Sequence, residues 1–226
     1  MIKATLIDFM GSDLSVTNAA RVSFGKKSVC EKTRFLDLGD WCGDIPVVND
    51  KDTKLIKYLA KHKHFSPFGH CFATFHIKAP IFVARQLVKH KFLRWNEISR
   101  RYVEDEPEFY VPDVWRGRSA DKKQGSEGVV LDFWVSDEVN SQTDNILALY
   151  RDMLLEGVAP EQARMVLPQS MYTEWYWSGS MDAFANMCAL RLKEDTQYET
   201  RLVAQQIDTM MAGLFPVSWK ALVHGG

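Results

Sequence analysis

Alternating hydrophobic and polar positions predict two β-strands in the first half of the chain. Residues 2–9 alternate loosely and stop before Gly11 and Asp13. Residues 70–78 alternate strictly and place one set of apolar side chains on a single face, namely Cys71, Ala73, Phe75 and Ile77. The second strand leads to Pro80, a residue well suited to the first turn of a helix.

Helical spacing of apolar residues predicts most of the remaining regular structure. The predicted helices, in chain order, are one that Asp52 or Thr53 begins and that ends near His62, Lys63 and His64; one over residues 80–91; a long one begun by Ser136 and stopped by Gly157; a short one from Pro160 to Arg164; one after Ser180; and one opened by Thr196 and Glu199 at capping-box spacing. The helix over residues 80–91 has a polar face within an arc of about 140°, made of Arg85, Gln86, Lys89 and His90. A strand therefore leads directly into a polar helix face.

Two stretches show neither the alternation of a strand nor the spacing of a helix. Residues 25–50 mix Gly, Lys, Asp and Cys, and we interpret them as an excursion from the core, most simply a surface insertion. Residues 113–128 carry glycines among charged residues and are predicted to be a loop. Because no repeat, low-complexity tract or sharp change of composition divides the chain, we expect one domain over residues 1–226, with insertions near 25–50 and 113–135.

Composition and charge narrow the class of protein. Of the 226 residues 46% are apolar and 25% charged, which is typical of a folded globular protein rather than a disordered or fibrous one. The 28 basic and 29 acidic residues give a net charge of −1, which argues against a general polyanion binder. Without a basic, apolar leader or an apolar run of about 18 residues, the chain is expected to be cytoplasmic. Its four scattered cysteines lack CxxC or zinc-like spacing, so we expect reduced, structural thiols and no metal site.

Positive charge is concentrated in one segment of this nearly neutral chain. From Arg85 to Arg101 there are six basic residues and one acid, a local net charge of +5. Asn96, Glu97 and Ser99 add directional hydrogen-bonding groups, so the segment can meet a phosphate, ribose hydroxyls and a base edge. A solvated helix face is the alternative interpretation of such charge. The chain has neither a GxGxxG turn nor a GxxxxGK[ST] loop, so side chains must hold any nucleotide.

Residues 62–102 resemble the core of the flavin-dependent thymidylate synthases, whose motif is RHRxxSxNExSxR followed by Tyr. In this chain the motif runs KHKFLRWNEISRR from Lys89 to Arg101, and Tyr102 follows it. Four further segments occur in the family's order: GSDLSVTNAARVSF (11–24), EFYVP (108–112), PEQARMVLPQSMYT (160–173) and NMCALRLKEDTQYE (186–199). An ordered set of five segments is far more specific than the short motif alone.

Several positions depart from the family pattern. Lys89 and Lys91 replace two arginines, which keeps the charge but loses the planar guanidinium fork. Arg94 replaces a serine, Gly69 replaces a glutamate, and Asp195 stands where many members have histidine. These departures indicate a divergent branch of the family, for which a viral origin is one interpretation.

The resemblance implies reductive methylation of dUMP to dTMP. In such enzymes methylenetetrahydrofolate supplies the carbon, and FAD reduced by NADPH supplies the hydride. The other class of thymidylate synthase attacks with a cysteine in a Pro-Cys motif, and no cysteine here follows a proline. The resemblance further implies an α+β fold, with helices surrounding an antiparallel sheet, and a homotetramer in which several subunits build each active site.

The resemblance also assigns site residues. For dUMP it implies Gln86, Glu97, Ser99, Arg101, Arg164 and Arg191. For FAD it implies His64, Ser66, Lys89, His90, Lys91, Asn96, Asn186 and Gln197. The catalytic residues would be Arg191 and Ser99. Arg191 would polarise the uracil ring as hydride arrives, and Ser99 would bind phosphate rather than attack, because the sequence places no base beside it.

Two alternatives stay open on the sequence. A single-stranded nucleic-acid binder would follow a backbone with residues 89–102 and stack bases on Phe92, Trp95 and Tyr102, although the net charge of −1 argues against it. A related flavoenzyme that modifies C5 of a pyrimidine nucleotide, for example by hydroxymethylation, would keep the fold and change the product.

Overall fold

The computed structural model describes residues 1–103, 105–120, 126–130 and 133–225. Its strands are Lys3–Met10 (β1), Lys32–Asp37 (β2), Cys42–Val47 (β3), Phe72–Pro80 (β4), Leu93–Glu97 (β5), Arg116–Arg118 (β6), Ser126–Val129 (β7) and Tyr172–Ser180 (β8). Its helices are Asp13–Arg21 (α1), Asp50–Lys61 (α2), Ile81–Leu87 (α3), Phe133–Leu155 (α4), Pro160–Ala163 (α5), Met181–Arg191 (α6), Tyr198–Leu214 (α7) and Pro216–Val223 (α8). Among these described residues, no helix is both long and apolar enough to cross a membrane.

A four-stranded antiparallel sheet, in the order β1–β4–β8–β5, forms the centre of the molecule. β4 and β8 pair along their whole length, from Phe72 opposite Ser180 to Pro80 opposite Tyr172. The alternate residues predicted to share one face of β4 are all buried, whereas Phe72 on the other face is 43% exposed. The predicted α+β fold with an antiparallel sheet and packed helices is therefore confirmed.

The hydrophobic core lies between this buried sheet face and the helices. Phe184 of α6 packs edge-to-face against Phe75 of β4, with ring centroids 5.2 Å apart, and against Trp177 of β8 at 5.4 Å. All three side chains are at most 1% exposed. Burial of one such side chain contributes about 1.5–3 kcal/mol, so these contacts hold α6 firmly on the two central strands.

A close backbone approach joins the edge strand β5 to β8. A Cβ atom at Gly179 would lie 2.4 Å from Leu93 Cδ2 and 3.1 Å from the Phe92 carbonyl oxygen, so a larger residue would displace both groups. Phe92 adopts a φ of 66°, in the left-handed region, where the chain turns from α3 into β5. This turn ends α3 at Leu87, so the helix predicted over residues 80–91 ends four residues too late.

Two predicted helix starts are wrong. Asn49, rather than Asp52 or Thr53, caps α2, and its side-chain oxygen accepts a hydrogen bond from the Asp52 backbone N–H at 3.0 Å. Helix α4 begins before Ser136, whose hydroxyl instead accepts a hydrogen bond from the Trp115 indole at 2.8 Å. The predicted stop of this helix is confirmed, because the helix ends at Leu155 and Gly157 adopts a φ of 82° two residues later.

Both stretches that showed neither strand nor helix spacing in the sequence contain a pair of antiparallel strands. Within residues 25–50, β2 pairs with β3, Ile45 is buried, and Trp41 packs edge-to-face on Phe9 at 4.9 Å. This segment is therefore packed on the body of the protein. Residues 113–128 were predicted to be a loop, but they contain the β6–β7 hairpin, which brings Arg116 to the cavity described below.

Candidate active site

A cavity of about 730 Å³ lies beside the ends of α3 and α6 and the start of α7. This volume is typical of small-molecule sites. Its polar lining includes Gln86, Lys89, Arg116, Arg191, Gln197 and Glu199, and its aromatic lining includes Phe82, Tyr110 and Trp115. Part of the predicted polar face of α3 therefore opens into a cavity, which we call the Arg191 cavity.

Arg191 is held in place at the end of α6 by two hydrogen bonds. Its Nε donates to His90 Nε2 at 3.0 Å, and its Nη2 donates to the Gln86 carbonyl oxygen at 3.3 Å. Burial lowers the pKa of this guanidinium, but arginine stays cationic in proteins. The result is a fixed positive charge with a defined orientation at the cavity wall.

His90 is a neutral hydrogen-bond acceptor in this arrangement. Because Nε2 accepts from Arg191, the proton of the neutral ring lies on Nδ1. Burial, and secondarily the Arg191 charge, lower the pKa of His90 from 6.5 to about 4. The imidazole therefore stays uncharged at neutral pH and keeps its bond to Arg191.

His90 should make folding stability depend on pH. Between about 6.5 and about 4 the unfolded chain binds a proton at His90 that the folded chain does not bind, so stability is lost as pH falls through this window. We expect urea unfolding to show a smaller loss in His90→Gln, whose amide oxygen can accept from Arg191 but does not titrate. Equal losses in the two proteins would contradict the lowered pKa.

Gln86 connects α3 to the start of α7. Its Nε2 donates to Gln197 Oε1, and its Oε1 accepts from Thr200 Oγ1 at 3.2 Å. The resemblance assigns Gln86 to dUMP and Gln197 to FAD. The two side chains are in contact in the Arg191 cavity, which is an arrangement expected where two ligands meet.

A polar cluster around the buried Glu199, with Tyr110 and Arg116, was not predicted from the sequence. Glu199 is 3% exposed, and its Oε1 accepts from Arg116 Nη2 and from the Tyr110 hydroxyl, the latter at 3.1 Å. Burial, with the Glu199 charge second, raises the pKa of Tyr110 above 10, so this hydroxyl stays protonated. Arg116 also lies over the Tyr198 ring at 4.5 Å. The cluster ties the β6–β7 hairpin to the wall of the Arg191 cavity.

The predicted capping box at the start of α7 is wrong. Gln197 is the N-cap residue and makes no side-chain capping bond, while Thr196 Oγ1 donates to the Leu190 carbonyl oxygen at 3.2 Å. The Glu199 carboxylate is engaged in the cluster above instead of reaching back to the helix start. Glu199 has the spacing of a capping-box residue, but it belongs to the cavity wall. Its partner Arg116 lies 83 positions away in the chain.

Glu97 and Arg164 lie together in a second cavity, of about 620 Å³, on the other side of α3. Glu97 Oε1 accepts from Thr173 Oγ1 at 2.7 Å, and its Oε2 accepts from the Trp95 indole at 3.0 Å. Trp95 stacks on Trp175 with ring centroids 4.3 Å apart. Of the three aromatic residues considered for ring stacking, Trp95 is thus packed within the protein.

The remaining predicted site residues line neither cavity in a single chain. Arg101 Nε donates to Ser99 Oγ at 3.3 Å on an exposed turn. Asn96 alternates with Glu97 and so lies on the opposite face of β5, across from Tyr176. The others are exposed, with His64 and Ser66 after α2, Lys91 after α3 and Asn186 on α6. For all of these residues the assigned role stays a prediction.

The cysteines are not suited to nucleophilic attack. Cys71 and Cys188 are completely buried. Burial raises the pKa of Cys71 to about 12 and raises that of Cys188 well above its usual value. Cys30 and Cys42 are free and more exposed, and neither is among the described residues that line the two cavities.

The family model described as thymidylate synthase complementing protein matches residues 5–217. The chain belongs to this family. Flavin-dependent thymidylate synthases of Thermus thermophilus and Thermosipho africanus are 38% and 37% identical to it over 218 and 221 residues, covering 96% of this chain in both cases and 73% and 89% of the relatives.

Solved structures agree with this thymidylate synthase family membership. The UMP/dUMP methylase PolB from Streptomyces cacaoi, bound with 5-Br UMP, superposes with a TM-score of 0.82 at 30% identity, covering 100% of this chain and 95% of that one. The same protein bound with 5-Br dUMP gives 0.80 and 31%, covering 99% and 95%. The predicted family and enzyme class are therefore confirmed.

Proposed function

We propose that this chain is a flavin-dependent thymidylate synthase that converts dUMP to dTMP. The observation that carries the proposal is the Arg191 cavity of this family member, which is lined by two amides and by a guanidinium that the neutral His90 imidazole holds in place. Methylenetetrahydrofolate is the carbon donor and NADPH the reductant. Bound FAD, once reduced, supplies the hydride that completes the methyl group.

Arg191 is the principal catalytic residue in this proposal. Negative charge develops on the uracil ring as hydride arrives, and a fixed, partly desolvated cation stabilises that charge more than it stabilises neutral dUMP. His90 and the Gln86 carbonyl oxygen orient the guanidinium. Gln86, whose side chain is held by Gln197 and Thr200, would lie beside the nucleotide, and no protein nucleophile is required.

The residues around the Arg191 cavity fit a flavin. Lys89 and Lys91 stand on either side of His90, and no salt bridge within the described residues uses either lysine. Their free charges suit a diphosphate, although as point charges rather than bidentate forks. Gln197, which contacts Gln86, would hold the flavin ring. We assign His64, Ser66, Asn96 and Asn186 to the same cofactor.

We propose that the active protein is a homotetramer whose sites are shared between subunits. Ser99, Arg101 and Arg164 suit the dUMP phosphate, yet none of them lines the Arg191 cavity of its own chain. A neighbouring subunit can supply them. The partly exposed sheet face offers a surface for such contacts, since Ile7, Phe72 and Tyr176 on it are 45%, 43% and 49% exposed. We place this enzyme in the cytoplasm, in keeping with its free cysteines.

The proposed reaction predicts tritium release from C5 of labelled dUMP. Release should require methylenetetrahydrofolate, FAD and NADPH together, and the purified protein should show flavin absorbance after addition of FAD. UMP should be assayed in parallel, because the similar PolB is named a UMP/dUMP methylase. Release without the folate donor, or accumulation of a hydroxymethylated product, would contradict thymidylate synthesis.

A further inference from the structure

A cavity of about 950 Å³ outside the Arg191 cavity lies between the end of α2 and helix α8. Its polar lining is dominated by four lysines, namely Lys57, Lys61, Lys63 and Lys220, and no acid is among its described lining residues. Its apolar lining includes Ala60, Phe65, Pro216, Val217, Ala221 and Leu222. We call this cavity the lysine groove.

The positive charge of the lysine groove is not neutralised by the protein. No salt bridge within the described part of the chain involves any of its four lysines. Two buried acids on adjacent elements are engaged elsewhere. Asp52 accepts from Arg21 at 2.6 Å, and Asp13 accepts the first backbone N–H groups of α8. A concave surface with one sign of charge attracts ligands of the opposite sign.

The backbone at Lys63 provides a second, independent observation. Helix α2 ends in a Schellman motif, in which the His64 N–H donates to the Leu59 carbonyl oxygen at 2.9 Å and the Lys63 N–H donates to that of Ala60 at 3.1 Å. Lys63 occupies the left-handed position of this motif, with a φ of 58°, where glycine is favoured. Because the backbone favours glycine here, the lysine side chain points to a role other than folding.

The lysine groove adjoins the proposed flavin and folate region in the chain. Lys63 and Phe65 line the groove and are the two chain neighbours of His64. His64 and Ser66 are among the residues that we assign to the flavin site. A ligand held by His64 would therefore lie next to residues that line the groove.

We propose that the lysine groove binds the polycarboxylate tail of the folate cosubstrate. The inference rests on the proposed function. A folate tail is a chain of glutamyl units, each with a carboxylate and a short methylene segment. The carboxylates can pair with the four lysine ammonium groups, and the methylene segments can pack against the apolar lining of the groove. A longer tail reaches more lysines, so the groove should select folates with several glutamyl units.

The test compares KM for monoglutamyl and pentaglutamyl methylenetetrahydrofolate in thymidylate synthesis. We expect the wild-type KM to be about tenfold lower for the longer tail, and most of this preference to be lost in the double variant Lys57→Gln, Lys61→Gln. Lys63→Gly should raise the pentaglutamyl KM about threefold while its Tm equals or exceeds that of the wild type. Lys54→Gln, a charge loss on α2 outside the groove, is the matched control.

Equal wild-type KM values for the two tails would overturn the proposal, and so would an unchanged tail preference in the double variant. A double variant in which only the KM for NADPH rises would also overturn it, because the groove would then bind the phosphate of that cosubstrate. Calorimetric titration with pentaglutamyl folate gives a readout without turnover. If the wild-type protein forms no dTMP, the proposed function is refuted. Lysine-dependent, salt-sensitive binding in the same sample would still support the groove, and its absence would refute it.

Discussion

Replacing Arg191 by alanine is expected to lower kcat by about 10²–10³-fold while FAD still binds. The guanidinium is the fixed cation of the Arg191 cavity, held by His90 and by the Gln86 carbonyl oxygen. Its loss removes charge stabilisation that is needed mainly in the transition state, so kcat should fall more than KM rises. Tritium release measures the rate, and flavin absorbance after gel filtration measures retained cofactor.

Two further variants define what Arg191 contributes. Arg191→Lys keeps a charge but cannot bond His90 and Gln86 in the same way, so it should recover only a small part of the lost rate. Arg201→Ala removes an arginine of the neighbouring helix α7 that is not among the lining residues, and it should leave kcat nearly unchanged. Near-normal turnover in Arg191→Ala would remove this residue from the catalytic assignment.

Mixing two inactive variants should restore activity if the sites are shared between subunits. We expect Arg101→Ala and Arg191→Ala each to be inactive, and a refolded equal mixture to recover about a quarter of wild-type activity. Half of the subunit pairs in such a mixture are hybrids, and one of the two sites in each hybrid carries neither substitution. The measurement is tritium release before and after subunit exchange, with sedimentation showing the oligomeric state.

The structure supplies a control for this mixing experiment. Gln86 and Arg191 are in contact within one chain, so Gln86→Ala and Arg191→Ala impair the same site and should not complement each other. If each active site instead lies within a single chain, the mixture of Arg101→Ala and Arg191→Ala should stay inactive. That outcome would contradict the shared-site proposal without affecting the proposed reaction.

The parts of the fold with strong local signals were predictable from the sequence. The strict alternation of β4 and the end of α4 before Gly157 are both determined by residues that are close together in the chain. Such local features can be recognised in the sequence. Strand β8 alternates as well, since Thr173, Trp175 and Trp177 point inward, but the large outward-facing Tyr176 conceals the pattern. Helix α1 was missed because its capping box pairs Ser12 with a serine, Ser15, rather than with Glu or Gln.

The site was predictable only where a motif contains it. Gln86, Lys89, His90 and Arg191 were assigned from motif positions, and the structure brings them together at the Arg191 cavity. Glu199 and Arg116 could not be paired in this way, because 83 positions separate them and the spacing of Glu199 imitates a cap. Whether Ser99 and Arg101 reach a second chain depends on quaternary structure, for which one sequence carries no local signal.

The two central strands continue into helices without a loop. β4 ends at Pro80 and α3 begins at Ile81, and β8 ends at Ser180 and α6 begins at Met181. One inserted residue at either junction would rotate the following helix by about 100° and turn Gln86 or Arg191 away from the cavity. We therefore expect related sequences to keep the length of these two strand–helix junctions unchanged.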